Sequence, residues 1–132
     1  MTYRYSVRSR ANLNTCHEWL QIIFNEVIRH FDCSIICGYR GEAEQNEAYH
    51  KGFSQLAYPL SKHNKVPSLA VDAMPWPIDW KDTKRIIYFA GFVKGVAAKL
   101  GYPIIWGGDW NDNNVLSDET FFDLAHYQIK EV

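Results

Sequence analysis

Apolar residues recur every three or four positions between Leu20 and Ile28, a spacing that predicts an amphipathic helix. The preceding stretch Thr15-Cys-His-Glu18 matches the pattern of a capping box, so we expect the helix to run from there to about His30. The segment before it, YRYSVRSR, has an arginine or another polar residue at every second or third position. We interpret it as a solvated stretch.

A second apolar pattern at helical spacing lies between Ile86 and Leu100. Asp82 or Thr83 is expected to cap the start of this helix, and Gly101 is expected to stop it. Two further glycines lie within the pattern. We expect them to let a neighbouring backbone approach closely; they are Gly91 and Gly95.

Four short apolar segments have the length and the flanking turn residues of strands, at 33–39, 69–74, 103–106 and 124–129. A short polar helix is predicted at 41–49, with loops at 54–67 and 107–114. Helices and strands alternate without a strict strand–helix–strand rhythm, which favours the α+β class. With 132 residues and no repeat or linker, the chain is expected to form a single domain over 1–132.

The charged residues are nearly balanced, with 14 basic and 15 acidic side chains and a net charge of −1. No basic stripe stands out, so the sequence predicts no nucleic-acid partner. No apolar stretch is long enough to span a bilayer, and the N-terminus lacks the apolar core of a secretory signal. We therefore expect synthesis in the cytoplasm and no membrane insertion, with a monomer as the default state.

Three cysteines, Cys16, Cys33 and Cys37, cannot all pair within one chain. Cys33 and Cys37 lie four residues apart in a predicted strand, so both are expected on the same face of it. No CxxC partner is present to complete a zinc site with them. We interpret all three as free, buried thiols that pack as small apolar residues.

The chemically unusual residue is Asp72, because it lies inside the apolar run LAVDAM, where a lone carboxylate is costly to bury. A metal ion is one of the few partners that offsets this cost. His63, on the loop before this strand, and His126, in the apolar segment FFDLAHYQI, provide two more ligands of a catalytic zinc type. Asp123 is expected at the turn before the last strand, where a general base for water would lie.

Each of these residues also has a purely structural explanation. His126 alone fits a satisfied core or surface histidine, and Asp72 alone fits a strand-end cap or the partner of a lysine. Asp123 alone fits a turn cap, the commonest role of such an aspartate. The metal interpretation therefore depends on the whole set of four.

The motifs SKH at 61–63, SLAVD at 68–72 and DLAH at 123–126 resemble the M15 metallopeptidases. This family comprises D-Ala-D-Ala carboxypeptidases and L-alanyl-D-glutamate endopeptidases, and its signature is S-x-H, A-x-D and a late D/E-x-x-H. The stretch Cys37-Gly-Tyr-Arg40 with Gln45 is similar to the family's G-x-R…Q element. Segments such as PWPIDW, IYFAGF and WGGDW resemble bacteriophage endolysins, so the resemblance covers nearly the whole chain.

The resemblance implies a role for each site residue. His63, Asp72 and His126 correspond to the ligands of one catalytic Zn2+ ion. Asp123 corresponds to the acid/base that takes a proton from water and delivers it to the leaving amine. Arg40 corresponds to the arginine that holds the substrate or the developing oxyanion. Supporting hydrogen bonds are implied for two further residues, Ser61 and Gln45.

The resemblance also implies the fold, which is a central, mostly antiparallel sheet flanked by helices, as in DD-peptidases and the zinc-binding domain of Hedgehog proteins. It implies no separate cell-wall-binding domain. The chain departs from the family in one spacing, because the usual H-x-x-G-x-A-x-D places the aspartate seven positions after the histidine. Here the difference 72 − 63 is nine, with Pro67-Ser68 where a glycine is expected. Since loops absorb insertions cheaply, we expect the ligands to stay in place and the cleft rim to differ.

The implied function is that of a zinc-dependent peptidoglycan hydrolase, a phage endolysin that cleaves the L-Ala–D-Glu bond of stem peptides. One alternative is a D-Ala-D-Ala carboxypeptidase, which needs a pocket closed around a terminal carboxylate. The other is a non-catalytic, zinc-stabilised module that binds cell wall or protein, against which the free carboxylate of Asp123 argues. The endolysin would be made in the host cytoplasm and would reach the peptidoglycan after another lysis protein acts.

Two other features carry candidate chemistry. The loop from Asp109 has a D-x-N-x-N start like that of a calcium loop, but it lacks the sixth-position glycine and has Thr120 at the twelfth position. A solvated loop is the simpler interpretation of this segment, and Asp109 could instead brace the cleft. Four tryptophans near the motifs are expected at the core or its edge rather than on glycan rings: Trp76, Trp80, Trp106 and Trp110.

Overall fold

The structure is a computed structural model that describes residues 2–131. Its strands are β1 Cys33–Cys37, β2 Ala70–Pro75, β3 Ile104–Trp106 and β4 His126–Ile129. Its helices are α1 Val7–Asn14, α2 Glu18–Val27, α3 Glu42–His50 and α4 Thr83–Leu100, with a short 3-10 helix at Lys62–Asn64. The strands form one antiparallel sheet in the order β1-β2-β4-β3. The α+β class and the antiparallel sheet are therefore confirmed.

The apolar faces of α2 and α4 pack on each other and on one face of the sheet. The buried side chains of α2 are Leu20, Ile23, Phe24 and Val27, and those of α4 are Ile86, Phe89, Ala90, Val93 and Ala97. These side chains repeat at the helical spacing seen in the sequence. The opposite face of the sheet is left for polar side chains.

The predicted ends of α4 are confirmed. The Asp82 carboxylate accepts a hydrogen bond from the Arg85 N–H, and Gly101 ends the helix at a φ of 84°, a conformation that favours glycine. The role predicted for the two glycines within α4 is wrong. A Cβ atom built on either Gly91 or Gly95 meets nothing within 4 Å, so no backbone approaches them.

The N-terminal segment contains a helix that we did not predict. Ser6 caps α1, Leu13 is fully buried, and the Ser9 hydroxyl accepts a hydrogen bond from the Ile35 N–H. The segment is solvated along the side that carries Arg4, Arg8 and Arg10, as interpreted, while Tyr5 and Ser9 attach its other side to the core. Only Ser9 and Leu13 of α1 are buried, and most of its other residues are polar. The sequence of this helix therefore has no apolar residues repeating at helical spacing.

The capping box predicted at Thr15 is also wrong. The Thr15 hydroxyl donates to the carbonyl of Asn12 and accepts from the Tyr39 N–H, so it joins the end of α1 to the segment that follows β1. The cap of α2 is His17, whose Nδ1 accepts a hydrogen bond from the Trp19 N–H. A tertiary contact thus replaces the local one that the motif suggested.

A bulge in β1 changes the face that Cys37 occupies. Cys33 pairs with Pro75, whereas Cys37 pairs with Asp72, because the register shifts between Ile35 and Cys37. One extra residue in a strand moves the following side chains to the other face. The prediction that Cys33 and Cys37 share a face is therefore wrong. All three cysteines are free as expected, and Cys16 and Cys33 are buried, but Cys37 is only half-buried.

Candidate active site

The sheet itself brings Asp72 and His126 together. They are direct cross-strand partners on the antiparallel neighbours β2 and β4, so their side chains lie on the same face. The Asp72 Oδ1 atom lies 3.3 Å from His126 Nδ1. This face is opposite to the one that α2 and α4 cover.

His63 reaches the same point from the loop before β2. The 3-10 helix that carries it is closed at its start by Ser61, whose hydroxyl accepts from the His63 N–H, while the Asn64 side chain accepts from the Ser61 N–H. The His63 Nε2 atom lies 3.2 Å from Asp72 Oδ1 and 3.2 Å from His126 Nδ1. The longer loop therefore leaves His63 beside Asp72, and Ser61 supports it.

The three atoms form a nearly equilateral triangle that fits a metal ion. Metal–ligand distances of about 2.0–2.1 Å in a tetrahedral site place two ligand atoms about 3.3–3.4 Å apart. The observed separations of 3.2, 3.2 and 3.3 Å are close to that value. Cys37 and Asp123 lie just outside the triangle, on the His63 side and the His126 side respectively. The donor set of two imidazoles and one carboxylate is compatible with a divalent metal.

Hydrogen bonds on the outer side of both histidines orient their rings. His63 Nδ1 lies 2.8 Å from the Gly38 carbonyl, and His126 Nε2 lies 2.8 Å from Gln128 Oε1. Since these oxygens only accept, the protons lie on those nitrogens, and each ring in its neutral form turns the lone pair of its opposite nitrogen toward the triangle. Sequence reasoning missed Gln128. Its position two residues after His126, on the same face of β4, was the available signal.

Two glycines keep the backbone close to this site. A Cβ atom on Gly38 would overlap the Asn12 carbonyl, and one on Gly107 would overlap the Asp123 carbonyl. The Gly107 N–H donates to His126 O, and Gly107 O accepts from the Asp123 N–H. Glycine is therefore required where α1 and the β3–β4 connection pass the residues of the triangle.

The charges within the triangle shift the pKa values of His63 and Asp72. Burial lowers the pKa of His63, but the neighbouring Asp72 carboxylate outweighs this effect and raises that pKa to about 10. Burial alone would raise the pKa of Asp72, yet His63 and His126 hold it well below its ordinary range. A positive charge is thus drawn to this position in the metal-free protein, as a buried carboxylate requires.

Asp123 lies beside the triangle without completing it. It occupies the turn before β4, where its carbonyl accepts the His126 N–H, and its Oδ2 lies 3.8 Å from His126 Nδ1. Burial raises the pKa of Asp123 to about 6, and the negative charge of Asp72 adds to the shift. About a third of its side chain is exposed. This is the turn position that the sequence predicts for it.

Arg40 closes the other side of Asp72. Its Nη2 donates to Asp72 Oδ2 over 3.3 Å, and its Nη1 donates to Gln45 Oε1 over 3.0 Å. Gln45 is fully buried and donates from Nε2 to the Leu56 carbonyl. The structure therefore brings all seven site residues predicted from the sequence into one connected group, in which Gln45 positions Arg40.

Two pockets flank this group. One, of about 390 Å³, is lined by Glu119 and Trp110 among others, and we call it the Glu119 pocket. The other, of about 600 Å³, is lined by the aromatic side chains Phe53, Trp80 and Phe122, and we call it the Trp80 pocket. Both pockets are also lined by Arg40, Phe121 and Asp123. The cleft therefore extends to both sides of the acid beside the triangle.

The tryptophans divide into two pairs. Trp106 is buried and donates its indole N–H to the Leu124 carbonyl, while the Trp110 ring lies 5.3 Å from that of His126. These two lie at the core or its edge, as expected. The same expectation is wrong for Trp76 and Trp80, which are 53% and 60% exposed. Both follow the end of β2, and Trp80 lines the Trp80 pocket.

The loop compared with a calcium loop has other partners for its carboxylates. Asp112 accepts hydrogen bonds from Lys94 at 3.0 Å and from Lys130 at 2.9 Å. Asp109 is buried and accepts the backbone N–H groups of Asn113 and Asn114. These bonds close the loop that carries Trp110, so Asp109 braces the wall of the Glu119 pocket.

Comparison with known proteins agrees with this geometry. The chain matches the family of phage L-alanyl-D-glutamate peptidases over residues 1–130. Among solved structures, it is similar to the L-Ala D-Glu endopeptidase ChiX of Serratia marcescens, with a TM-score of 0.74 and 26% identity over 96% of this chain and 90% of that chain. Comparison with curated proteins finds no match. The chain is therefore a peptidase that belongs to the phage L-alanyl-D-glutamate peptidase family.

Proposed function

We propose that this protein is a zinc-dependent endolysin that cleaves the L-Ala–D-Glu bond of peptidoglycan stem peptides. The observation that carries the proposal is the cleft, which has a pocket on each side of Asp123 and Arg40. An endopeptidase binds its substrate on both sides of the scissile bond. A D-Ala-D-Ala carboxypeptidase instead needs a pocket closed around the terminal carboxylate. The open cleft therefore favours the endopeptidase.

The ligands that we propose for one zinc ion are His63 Nε2, Asp72 Oδ1 and His126 Nδ1. Two imidazoles and one carboxylate are a common donor set of catalytic zinc sites, although other divalent ions also bind such sets. When bound, the ion would supply a Lewis acid that polarises the scissile carbonyl and lowers the pKa of water. The separations of the three atoms and the two oriented rings support this assignment.

Asp123 is proposed to take a proton from the attacking water and to deliver it to the leaving amine. Asp123 lines both pockets, so its carboxylate can contact the water during the attack and the leaving amine when the peptide bond breaks. The 3.8 Å between its Oδ2 and His126 Nδ1 exceeds the separation expected of two ligands of one ion. This distance supports a role beside the ion rather than on it.

Arg40 is proposed to hold the substrate carbonyl and the negative charge that develops on it. A guanidinium group has five N–H donors, and only two of them bond to Asp72 and Gln45. Arg40 lines both pockets, so its remaining donors are available to a substrate in the cleft. Its two existing hydrogen bonds fix the plane of the group, which reduces the reorganisation needed during the reaction.

The test of this function is digestion of purified peptidoglycan with the zinc-loaded protein, followed by mass spectrometry of the products. We expect free peptides that begin at D-Glu, and none from an Asp123→Asn control. Loss of only a terminal D-Ala would identify a carboxypeptidase instead. Absence of any cleavage despite bound zinc would refute the proposed activity.

Replacing Gln128 by alanine should weaken zinc binding by about 10–100-fold, because His126 then loses the acceptor that orients its ring. The measurement is a competition titration against a chromogenic chelator. A Gln128→Glu variant serves as the matched control, since its carboxylate can accept the same hydrogen bond and should retain tight binding. Equal affinity of the alanine variant and the original protein would show that Gln128 does not position His126.

We further propose that the enzyme acts on the wall only after another lysis protein opens the host membrane. None of the helices within residues 2–131 is long and apolar enough to cross a membrane. Expressed alone in a bacterial host, the protein should stay in the cytoplasmic fraction, and lysis should follow only when the membrane is permeabilised. Recovery of the protein from the periplasm would contradict this.

A further inference from the structure

The Glu119 pocket and the Trp80 pocket differ in the charge of their outer walls. Apart from the groups at the centre of the site, the charged side chain that lines the Glu119 pocket is Glu119 itself, surrounded by polar residues such as Ser54 and Gln55. The outer wall of the Trp80 pocket is aromatic and uncharged. The cleft therefore has a carboxylate in its outer wall at one end and none at the other.

The Glu119 carboxylate has no cationic partner among residues 2–131. It accepts one hydrogen bond, from the Asn111 N–H at 3.3 Å. Other carboxylates of the same loop are paired, since Asp112 contacts Lys94 and Lys130. Glu119 is half-buried, so part of its hydration is already lost without compensation from a positive charge. A cation in the pocket would supply that compensation.

Glu119 is also held in place at the wall. Trp110, which lies in the same pocket, donates its indole N–H to the Phe121 carbonyl, two residues beyond Glu119. Asp109 closes the beginning of the loop by accepting two backbone N–H groups. The carboxylate therefore projects from a segment tied at both ends, which reduces the entropy lost when it binds a partner.

A stem peptide is not symmetric about its L-Ala–D-Glu bond. On the amino side, L-Ala is joined through a lactyl group to a sugar, and neither carries a cation. On the carboxyl side, D-Glu is followed by a diamino acid, whose side-chain amine is protonated near neutral pH as in lysine. The carboxyl side also carries the free carboxylate of D-Glu, so the group that matches the Glu119 carboxylate is the ammonium group of the diamino acid, which has no counterpart on the amino side.

We propose that Glu119 is a specificity-determining residue that binds the side-chain ammonium group of the diamino acid after D-Glu. This inference rests on the proposed function. It assigns a direction to the substrate, with the diamino acid in the Glu119 pocket and the L-Ala and sugar portion against the aromatic wall of the Trp80 pocket. Glu119 acts on binding and takes no part in the chemical step.

The test compares two disaccharide-tripeptide fragments of peptidoglycan, one with a free side-chain amine and one in which that amine is acetylated. The kcat/KM of the zinc-loaded protein should be about three- to fivefold higher for the free-amine fragment than for the acetylated one, which is the size of effect that a partly exposed ion pair allows. The difference should arise from a lower KM, with kcat unchanged. Glu119→Gln should abolish this preference while cleaving the acetylated fragment as before. The preference of the original protein should also shrink as salt is raised.

Two variants control for charge and for position. Glu18→Gln makes the same chemical change on α2, outside both pockets, and should keep the preference. Trp80→Ala alters the other pocket and should leave the ratio of the two fragments unchanged, whatever it does to the absolute rates.

Other outcomes are equally decisive. If Glu119→Gln slows both fragments equally, Glu119 is only structural and the inference is overturned. If the original protein shows no preference, the inference is overturned while the L-Ala–D-Glu activity stands. Failure to cleave either fragment would instead remove the proposed function itself.

Discussion

Replacing Asp123 by asparagine should lower kcat for stem-peptide cleavage by about 10²–10⁴-fold, the contribution typical of a positioned general acid/base. The amide has nearly the shape of the carboxylate, and the backbone hydrogen bonds of residue 123 to Gly107 and His126 do not involve the side chain. The fold should therefore persist. Proton transfer is lost because an amide oxygen is a very weak base.

The measurement pairs single-turnover cleavage of the disaccharide tripeptide with the zinc content of the purified variant. Asp79→Asn makes the same change at an exposed position outside the Glu119 and Trp80 pockets, and it should leave both quantities unaltered. Retained zinc with lost turnover is the expected result for Asp123. If zinc is lost in proportion to activity, Asp123 is a ligand and its role as acid/base is refuted.

Replacing Asp72 by alanine should have the largest effect on metal binding. Both histidines and Arg40 contact the Asp72 carboxylate. Its Oδ1 lies 3.2 Å from His63 Nε2 and 3.3 Å from His126 Nδ1, and its Oδ2 lies 3.3 Å from Arg40 Nη2. Zinc sites with four protein ligands bind with about 10–16 kcal/mol, so one ligand accounts for about 3–4 kcal/mol, or roughly 10²–10³-fold in affinity. Two imidazoles and a nearby guanidinium group would then face each other without a carboxylate.

Thermal unfolding shows this loss directly. A metal that binds only the folded state stabilises it by about 4 kcal/mol at 1,000 times its Kd, which raises Tm by roughly 10–20 °C in a domain of 132 residues. Treatment of the original protein with a chelator should lower Tm by that amount. At the same zinc concentration, Asp72→Ala should retain only about a tenth to a third of this response. A full zinc-induced shift in this variant would place the metal elsewhere.

The parts of the fold that could be predicted are those in which local pattern and burial agree. Both α2 and α4 bury one stripe of apolar residues, and Asp82 and Gly101 mark the ends of α4 with local chemistry. The helix α1 buries only Ser9 and Leu13, so its sequence shows no apolar residues at helical spacing. The Thr15 hydroxyl is engaged by Tyr39, 24 residues away, and no local motif contains that information.

The same distinction applies to the site. Residue type and family resemblance were enough to predict that His63, Asp72, His126 and Asp123 lie together, and the structure places them side by side. The face of Cys37 was not predictable, since a bulge depends on how β1 pairs with β2. Glu119 lies in a loop without a period, and only the folded chain shows that it lines the cleft.

The position of β4 between β2 and β3 has a consequence for synthesis on the ribosome. The chain makes β1, β2 and β3 before β4, yet β4 is an inner strand of the finished sheet. Asp123 and His126 both arrive with it, so a nascent chain that has only just completed α4 lacks the proposed acid/base and one proposed ligand. Translation therefore delivers these two residues together with the strand that lies between β2 and β3, and no shorter intermediate carries the assembled site.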